Sequence, residues 1–415
     1  MINEMSEFSP VKSEYGEFGI HISISMHSNK FFELCVGDEN IHTEYFLTGP
    51  EVNKTAYIET LAGKDELLTS PETFELIKSR VKKYSKKQNY ILIEDFEIKK
   101  LPDITSSPVS IDFDNIDELL EDLNSLLPFV TAGVFEKVRE YWKSLILEGE
   151  NRPVSVLFLN YYVTGGILDK VDNEQEIKEF YYKYFKMLQE TVHRYDGMIN
   201  KIDMYDKGDK VIIIFGFPYS HADDDERAIR CANEILIKGS TFKKVNILGN
   251  EFSVVQKIGI HSGFIYCGNV GSPLRKEYTF MGDPVNLSAR IMSSASDDEI
   301  WISDVIFKKT SKISIIKSSE ERNFKGKSDA VLVHKLSAVS EKQETQTDLF
   351  VGREKELEFL KSKLENINEG FSSLQIIGSV GVGKTALIRE FFKSIKIGHE
   401  ILLGRGAPYG KKIQY

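Results

Sequence analysis

The sequence predicts a mixed α/β (α+β) fold assembled from strand-turn-helix units. Three observations predict it. Short β-type runs alternate with helical-period stretches along most of the 415 residues. One unit, Gly268 to Ile291 (GNVGSPLRKEYTFMGDPVNLSARI), joins an extended run to a helix through a glycine and an Asp-Pro pair. That unit also occurs twice: EYFLTGPEVNKTA from Glu44 aligns without a gap on EYTFMGDPVNLSA from Glu277, at a constant offset of 233 residues. The same offset lays DELLTS from Asp65 on DEIWIS from Asp298, so the match runs through a helix into the next strand and marks an internal duplication.

In the second copy Gly282 ends the run EYTFM, Asp283 is the expected N-cap, and Pro284 suits the first helical position. Asn286 and Arg290, four residues apart, share one helical face. The first copy keeps the Asn as Asn53 but has Tyr57 where Arg290 stands.

Taken in order, GIHISISMHS, FFELCVG and HTEYFL read as strands, PEVNKTAYIETLAG as a helix, and DELLTSPETFELIKSRV as a short strand followed by a helix. LPDITSSPVS is a linker, and IDELLEDLNSLL and FEKVREYWKSLILEG have helical period. From Arg152, PVSVLFLNYY is a buried-type strand. The helix after it carries a core stripe of Ile177, Phe180, Tyr181, Tyr184, Leu188 and Val192. MINKIDMYDKGDKVIIIFGFP predicts two strands joined at a turn of Asp206, Lys207, Gly208 and Asp209. The helix DDDERAIRCANEILIK, a strand pair around KIGIHSGFIYCGNV, and a closing segment RNFKGKSDAVLVHKL complete this part. The polar string SEKQETQTD is a second linker. A helix, a buried strand LQIIG and the loop Gly378 to Thr385 (GSVGVGKT) follow. This complete GxxxxGKT predicts a phosphate cradle of Gly378, Gly381 and Gly383, with Lys384 for the β/γ-phosphates and Thr385 for Mg²⁺.

The formal net charge of −10 argues against a broad nucleic-acid-binding surface, so nucleic acid is not an expected partner. Three separated cysteines, Cys35, Cys231 and Cys267, fit a reducing compartment, and no apolar run reaches the length of a membrane span. A cytoplasmic protein is expected.

Taken together, VLFLNYY, INKIDMYDKGDKVIIIFGFP, GIHSGFIYCGNVGS and EYTFMGDPVNLSAR resemble the class III nucleotidyl cyclase domain. The resemblance is to the second cyclase domain of two-domain soluble adenylyl cyclases, over about Arg152 to Val339. It implies a ferredoxin-like cyclase domain at 151–339. Before it come the C-terminal half of a first, degenerate cyclase domain (1–99) and a helical linker (100–150). After it come a linker (340–349) and the start of a P-loop NTPase domain (350–415), so a chain truncated at both ends is expected. The implied reaction turns ATP into cyclic AMP and pyrophosphate between two cyclase domains, with Mg²⁺ or Mn²⁺. The resemblance assigns transition-state stabilisation to Arg290, ribose binding to Asn286 and adenine recognition to Lys201 and Thr279. It places the two metal-binding aspartates at Asn160 and Asp209. Asn lacks the charge a hard cation wants, so half of the metal pair is missing and Asp209 is equally a turn residue. The family's bicarbonate response rests on a basic residue where Ala56 stands, and is not expected here. The implied partners are ATP and a complete first cyclase domain, in cis or in trans. The alternative reading is a non-catalytic, nucleotide-binding regulatory module fused to a P-loop NTPase.

Overall fold

The computed structural model describes residues 9–14, 16–38, 41–97, 116–130, 134–135, 149–164, 174–242, 245–247, 250–272, 275–340, 352–365, 373–377 and 384–393. They fall into two units, Met1–Val339 and Ser340–Tyr415. LPDITSSPVS, linker residues 341–349, residues 136–148 of the segment FEKVREYWKSLILEG, and Gly378, Gly381 and Gly383 lie outside the described residues.

The first repeat opens with a small hairpin, β1 (Val11–Ser13) and β2 (Gly16–Phe18), followed by β3 (Ile24–Met26). An arm of β4 (Phe32–Asp38) and β5 (His42–Thr48) leads into α1 (Pro50–Leu61). β6 (Leu67–Thr69), α2 (Pro71–Ile77), β7 (Val81–Lys87) and β8 (Tyr90–Phe96) complete a four-stranded sheet of order β3-β6-β8-β7. The strand expected over GIHISISMHS is thus only three residues long. α3 (Ile116–Leu126) follows in the connecting region.

The second repeat is fuller. β9 (Glu150–Val163), α4 (Glu174–Arg194), β10 (Met198–Met204), β11 (Asp209–Phe215) and α5 (Asp224–Gly239) precede a minor hairpin, β12 (Val245–Ile247) and β13 (Asn250–Phe252). β14 (Val254–Ser272), β15 (Arg275–Met281), α6 (Asp283–Ser293), β16 (Glu299–Ser303), α7 (Asp304–Thr310), β17 (Ser314–Arg322) and β18 (Val331–Val339) follow. The eight-stranded sheet has the order β10-β11-β9-β14-β16-β18-β17, with β15 folded back on β14. KIGIHSGFIYCGNV is therefore one continuous strand, not a pair. Its first part pairs with β16, its far part with β15, and β9 runs along the other edge.

The duplication is written into the backbone. Asp65 and Asp298 are both non-glycine residues at positive φ, 61° and 58°. Each binds the strand behind it in the same way: the Asp65 N–H donates to Ile22 O and its carboxylate accepts from Ile22 N, and Asp298 does the same with Gln256. His27 Nδ1 meets Ser70 Oγ at 2.7 Å, and His261 Nδ1 meets Ser303 Oγ at 2.8 Å. Both serines cap the helix that follows, accepting from Thr73 N and Ile306 N. The offset is 234 along β3 and β4 and 233 from β5 onward, so the one-residue difference falls in the arm's hairpin turn.

The aromatic stripe of α4 is core, as its spacing predicts, and the first repeat shares that core. Leu34, Val36 and Phe46 of the β4–β5 arm join Tyr181, Phe185 and Leu188 of α4 in one buried cluster.

In the second unit, α8 (Glu354–Glu365) packs against α9 (Lys384–Lys393), whose first residue is the loop lysine. The expected buried strand LQIIG is not a strand over its described residues, and Ile377 is exposed. A strand needs a neighbouring strand to take up its backbone groups, and the described residues of this unit supply none.

Candidate active site

Asn286 and Arg290 reach solvent from one face of α6, and the opposite face packs on the sheet. Gly282 takes φ 153° and ψ 169°, a turn that a side chain would strain, and it occupies the N-cap itself. The expected Asp283 cap is therefore corrected: Asp283 and Pro284 are the first two helical residues. The Asp283 carboxylate reaches the Lys327 ammonium at 2.6 Å instead. Pro284, Leu287, Ser288, Ile291 and Met292 are buried, and the Ser288 hydroxyl donates to Val156 O on β9 at 3.1 Å. Gly259 lets α6 lie directly on β14, since a Cβ there would overlap Met292 N. On the opposite face Asn286 is exposed and Arg290 half-exposed.

The turn between β17 and β18, read from sequence only as a closing segment, borders this face. Gly326, at φ 77°, sits so close to the Arg290 guanidinium that an added Cβ would be 3.5 Å from Nη1. Lys325 and Lys327 flank that glycine, and Lys327 is the partner of Asp283. A Lys-Gly-Lys between two strands was the signal that could have found it. Arg322 gave no such signal. Its guanidinium donates to Ser294 O at the end of α6, at 2.8 Å, and lies 3.7 Å from the Trp301 ring centroid.

Lys201, on β10, lies within reach of the strand that carries Thr279. Lys201, beside a bulge in β10, places Nζ 3.7 Å from Asp203 Oδ2 and 3.8 Å from Glu277 Oε1. Glu277 and Thr279 are two apart on β15 and share a face of that strand.

Asn160 and Asp209 belong to a different environment, beneath the first repeat. The Asn160 amide donates to Lys207 O at 2.9 Å and to Asp209 O at 3.0 Å, which spends it on the hairpin backbone. Asp209, the first residue of β11, is 1% exposed. Thr48 Oγ1 lies 3.0 Å from each of its carboxylate oxygens and 3.3 Å from Tyr181 Oη. Burial pushes the Asp209 carboxyl up to about 7, against the opposing pull of the Thr48 hydroxyl. Asn53 completes the seal, donating from Nδ2 to Tyr205 O at 2.8 Å and Gly208 O at 2.7 Å. The Tyr205 hydroxyl in turn meets Ser293 Oγ of α6 at 2.8 Å.

A divalent cation does not fit there. One position offers amide hydrogens rather than charge, and the carboxylate beside it is sealed from solvent and favours its proton. The described residues hold no cluster of three or more His, Cys, Asp or Glu placed to bind a metal. Of the predicted phosphate loop, Lys384 opens α9 with Thr385 next to it, and its three glycines lie outside the described residues.

Comparison with known proteins bears on this arrangement. Residues 150–338 match the adenylate and guanylate cyclase catalytic domain, and residues 349–415 match the AAA ATPase domain. Adenylate cyclase type 10 of Homo sapiens is 24% identical over 307 residues, covering 66% of this chain and 17% of that protein. An uncharacterized protein of Mycobacterium tuberculosis (strain ATCC 25618 / H37Rv) is 33% identical over 152 residues, covering 36% of this chain and 25% of its own. The chain thus spans about a sixth to a quarter of the length of these relatives. Among solved structures, the guanylyl cyclase Cya2 is 26% identical at a TM-score of 0.42, over 47% of this chain and 97% of its own. A bacterial light-regulated adenylyl cyclase is 17% identical at a TM-score of 0.44, over 55% and 65%. Among the described residues, no helix is long and apolar enough to cross a membrane.

Proposed function

We propose, from the premise that residues 150–338 are a class III nucleotidyl cyclase catalytic domain, that this chain supplies the nucleotide-binding and transition-state half of an adenylate cyclase active site. The carboxylate half comes from another cyclase domain. The observation that carries this reading is the opposite exposure of the two sets of residues. Asn286 and Arg290 face out from α6, whereas Asn160 and Asp209 are sealed under the first repeat.

In the cyclisation of ATP, the ribose 3′-hydroxyl attacks the α-phosphorus as pyrophosphate leaves, and negative charge grows on the phosphoryl oxygens. Arg290 offers its guanidinium to that charge, bordered on one side by the Gly326 turn. Asn286, one helical turn earlier, offers both a donor and an acceptor to the ribose. Lys201 exchanges its exposed ion pairs with Asp203 and Glu277 for an acceptor on the adenine edge, beside the Thr279 hydroxyl. Divalent cations, which class III cyclases use generally, have no holder in Asn160 and Asp209.

The test is cyclic AMP formation from ATP with Mg²⁺ or Mn²⁺, together with calorimetric ATP binding. The purified chain is expected to bind ATP, with affinity reduced by Lys201→Ala, and to form cyclic AMP only at background rate. Robust turnover by the chain alone would overturn the assignment of the carboxylates elsewhere. Absence of ATP binding would overturn the nucleotide half. The sealed Asn160 and Asp209 also favour a second reading, a non-catalytic nucleotide-binding module beside an NTPase. Binding that persists while no cyclase partner restores turnover would select it.

A further inference from the structure

The outer strand of the first repeat carries charge that its twin does not. β7 ends the four-stranded sheet as β17 ends the eight-stranded one, and the two begin at the constant offset, Val81 against Ser314. Residues 78–87 hold six cations and no carboxylate: Lys78, Arg80, Lys82, Lys83, Lys86 and Lys87. The matching stretch 311–320 holds only Lys312, Lys317 and Glu320 as charged residues. Lysine on an edge strand ordinarily discourages pairing between copies of a protein. Two edges of the same topology share that need, so it does not account for charge concentrated on one of them.

Three of the cations are taken by neighbouring carboxylates. Lys78 reaches Glu75 at 3.4 Å, Lys87 reaches Glu66 at 2.5 Å, and Lys83 pairs with Glu94 on β8. Arg80, Lys82 and Lys86 are exposed and have no side-chain partner among the described residues. The backbone is open beside them. β7 pairs with β8 and with no other strand among the described residues. From Tyr84 opposite Ile93 to Lys87 opposite Tyr90 that ladder is regular, so alternate residues turn their N–H and C=O to the free edge. Cations flank this edge on both faces. Lys86 lies opposite Ile91, on the face that packs on Phe74 of α2, and Lys87 lies opposite Tyr90 on the other face. Tyr84 is 49% exposed, with its ring 4.6 Å from that of Phe74 between centroids.

We infer that the free edge of β7 is a docking site for an acidic extended peptide, which adds to the sheet as a further strand and sets its carboxylates on Arg80, Lys82 and Lys86. Backbone bonds fix the register, and the cations select the sequence. An added strand presents its side chains to both faces in alternation, as these cations require. A flat anionic surface such as a lipid bilayer would meet one row of them. The site uses none of the residues of the proposed nucleotide site and does not rest on that reading.

Fluorescence anisotropy of the full chain tests it, with a labelled peptide of three Glu-Glu-Val repeats as the probe. The peptide is expected to bind, and Lys82→Glu combined with Lys86→Glu to weaken it by about tenfold or more. The melting temperature of that variant should not move, since both lysines are exposed and unpaired among the described residues. The same reversal on the twin edge, Lys312→Glu with Lys317→Glu, is expected to leave binding unchanged. A peptide N-methylated at its four central residues keeps the charge but loses its amide donors, and is expected to bind about tenfold more weakly or worse. No binding by the folded wild type overturns the inference, as does an equal loss from the β17 reversal. Equal affinity for the N-methylated peptide overturns strand addition. Sedimentation with phosphatidylserine vesicles through the same two lysines, in place of peptide binding, overturns the choice of partner.

Discussion

Asn53 and Asn286 are the same residue in two copies of one strand-turn-helix unit, yet they do opposite work. Asn53 is spent on two backbone carbonyls of the neighbouring hairpin, and the helix that carries it has Tyr57 in place of an arginine. Asn286 faces solvent one turn before Arg290. An asparagine amide can close an interface or bind a ligand with the same donors and acceptor, and what decides is whether a hairpin already fills the space in front of it. In this chain the filled copy holds the repeats together, and under the proposed function the open copy is the one that receives nucleotide.

The largest effect expected from disturbing this contrast is on the filled side. The Asp209 carboxyl ionises near 7 in the folded protein against 3.8 ordinarily, so the folded state keeps a proton that the unfolded chain releases. Stability contributed by that proton is complete below about pH 4, is lost as pH rises toward 7, and changes no further above it. About three pH units correspond to on the order of 4 kcal/mol. Thermal melts of the wild type are expected to fall across that window and those of Asp209→Asn to stay flatter; parallel curves would contradict the sealed carboxyl.

On the open side, Arg290→Ala is expected to cost about 3 kcal/mol of transition-state stabilisation, a loss of roughly 100-fold or more in kcat. The measurement is made in a chain completed by its cyclase partner, and the melting temperature should not move. Unchanged kcat would refute the role.

Exchanging the two asparagines sharpens the comparison further. Asn53→Ala removes both donors from two partly buried carbonyls and is expected to destabilise by about 2 kcal/mol, read by denaturant unfolding. Asn286→Ala is expected to leave the unfolding curve in place and to reduce turnover. Equal destabilisation by both would erase the distinction. The smallest effect belongs to Tyr205→Phe, which deletes the 2.8 Å contact with Ser293 between the sealed hairpin and α6. At this partly exposed contact the loss should be about 1 kcal/mol or less.

Much of this was legible in the sequence because it is local or repeated. The glycine turn, the helix after it and the Asn–Arg spacing all lie within a dozen residues, and the duplication showed as identical letters at one offset. Missing from view was everything made by contact between distant segments. Thr48 on Asp209 and Asn53 on Tyr205 and Gly208 join residues more than 150 positions apart, and no periodicity announces them. Asp209 read from sequence is a turn carboxylate or a weak metal ligand, and only the docked first repeat reveals it as a buried acid. LQIIG had the apolar run of a strand, but strand formation depends on neighbours that a run does not specify. Asp283 had the chemistry of a cap, but Gly282 alone could take the backbone angles the turn imposes.

The Asn160 amide, with its two N–H groups aimed at Lys207 O and Asp209 O, also decides what one substitution can do here. Asn160→Asp would set an ionised carboxylate, which only accepts, against two carbonyls, which also only accept. The exchange would begin with a loss of stability and end in a pocket still stoppered by Thr48 and Asn53. A metal site on this side would need coordinated changes in two segments of the chain, so this corner behaves as a lock that no single mutation opens.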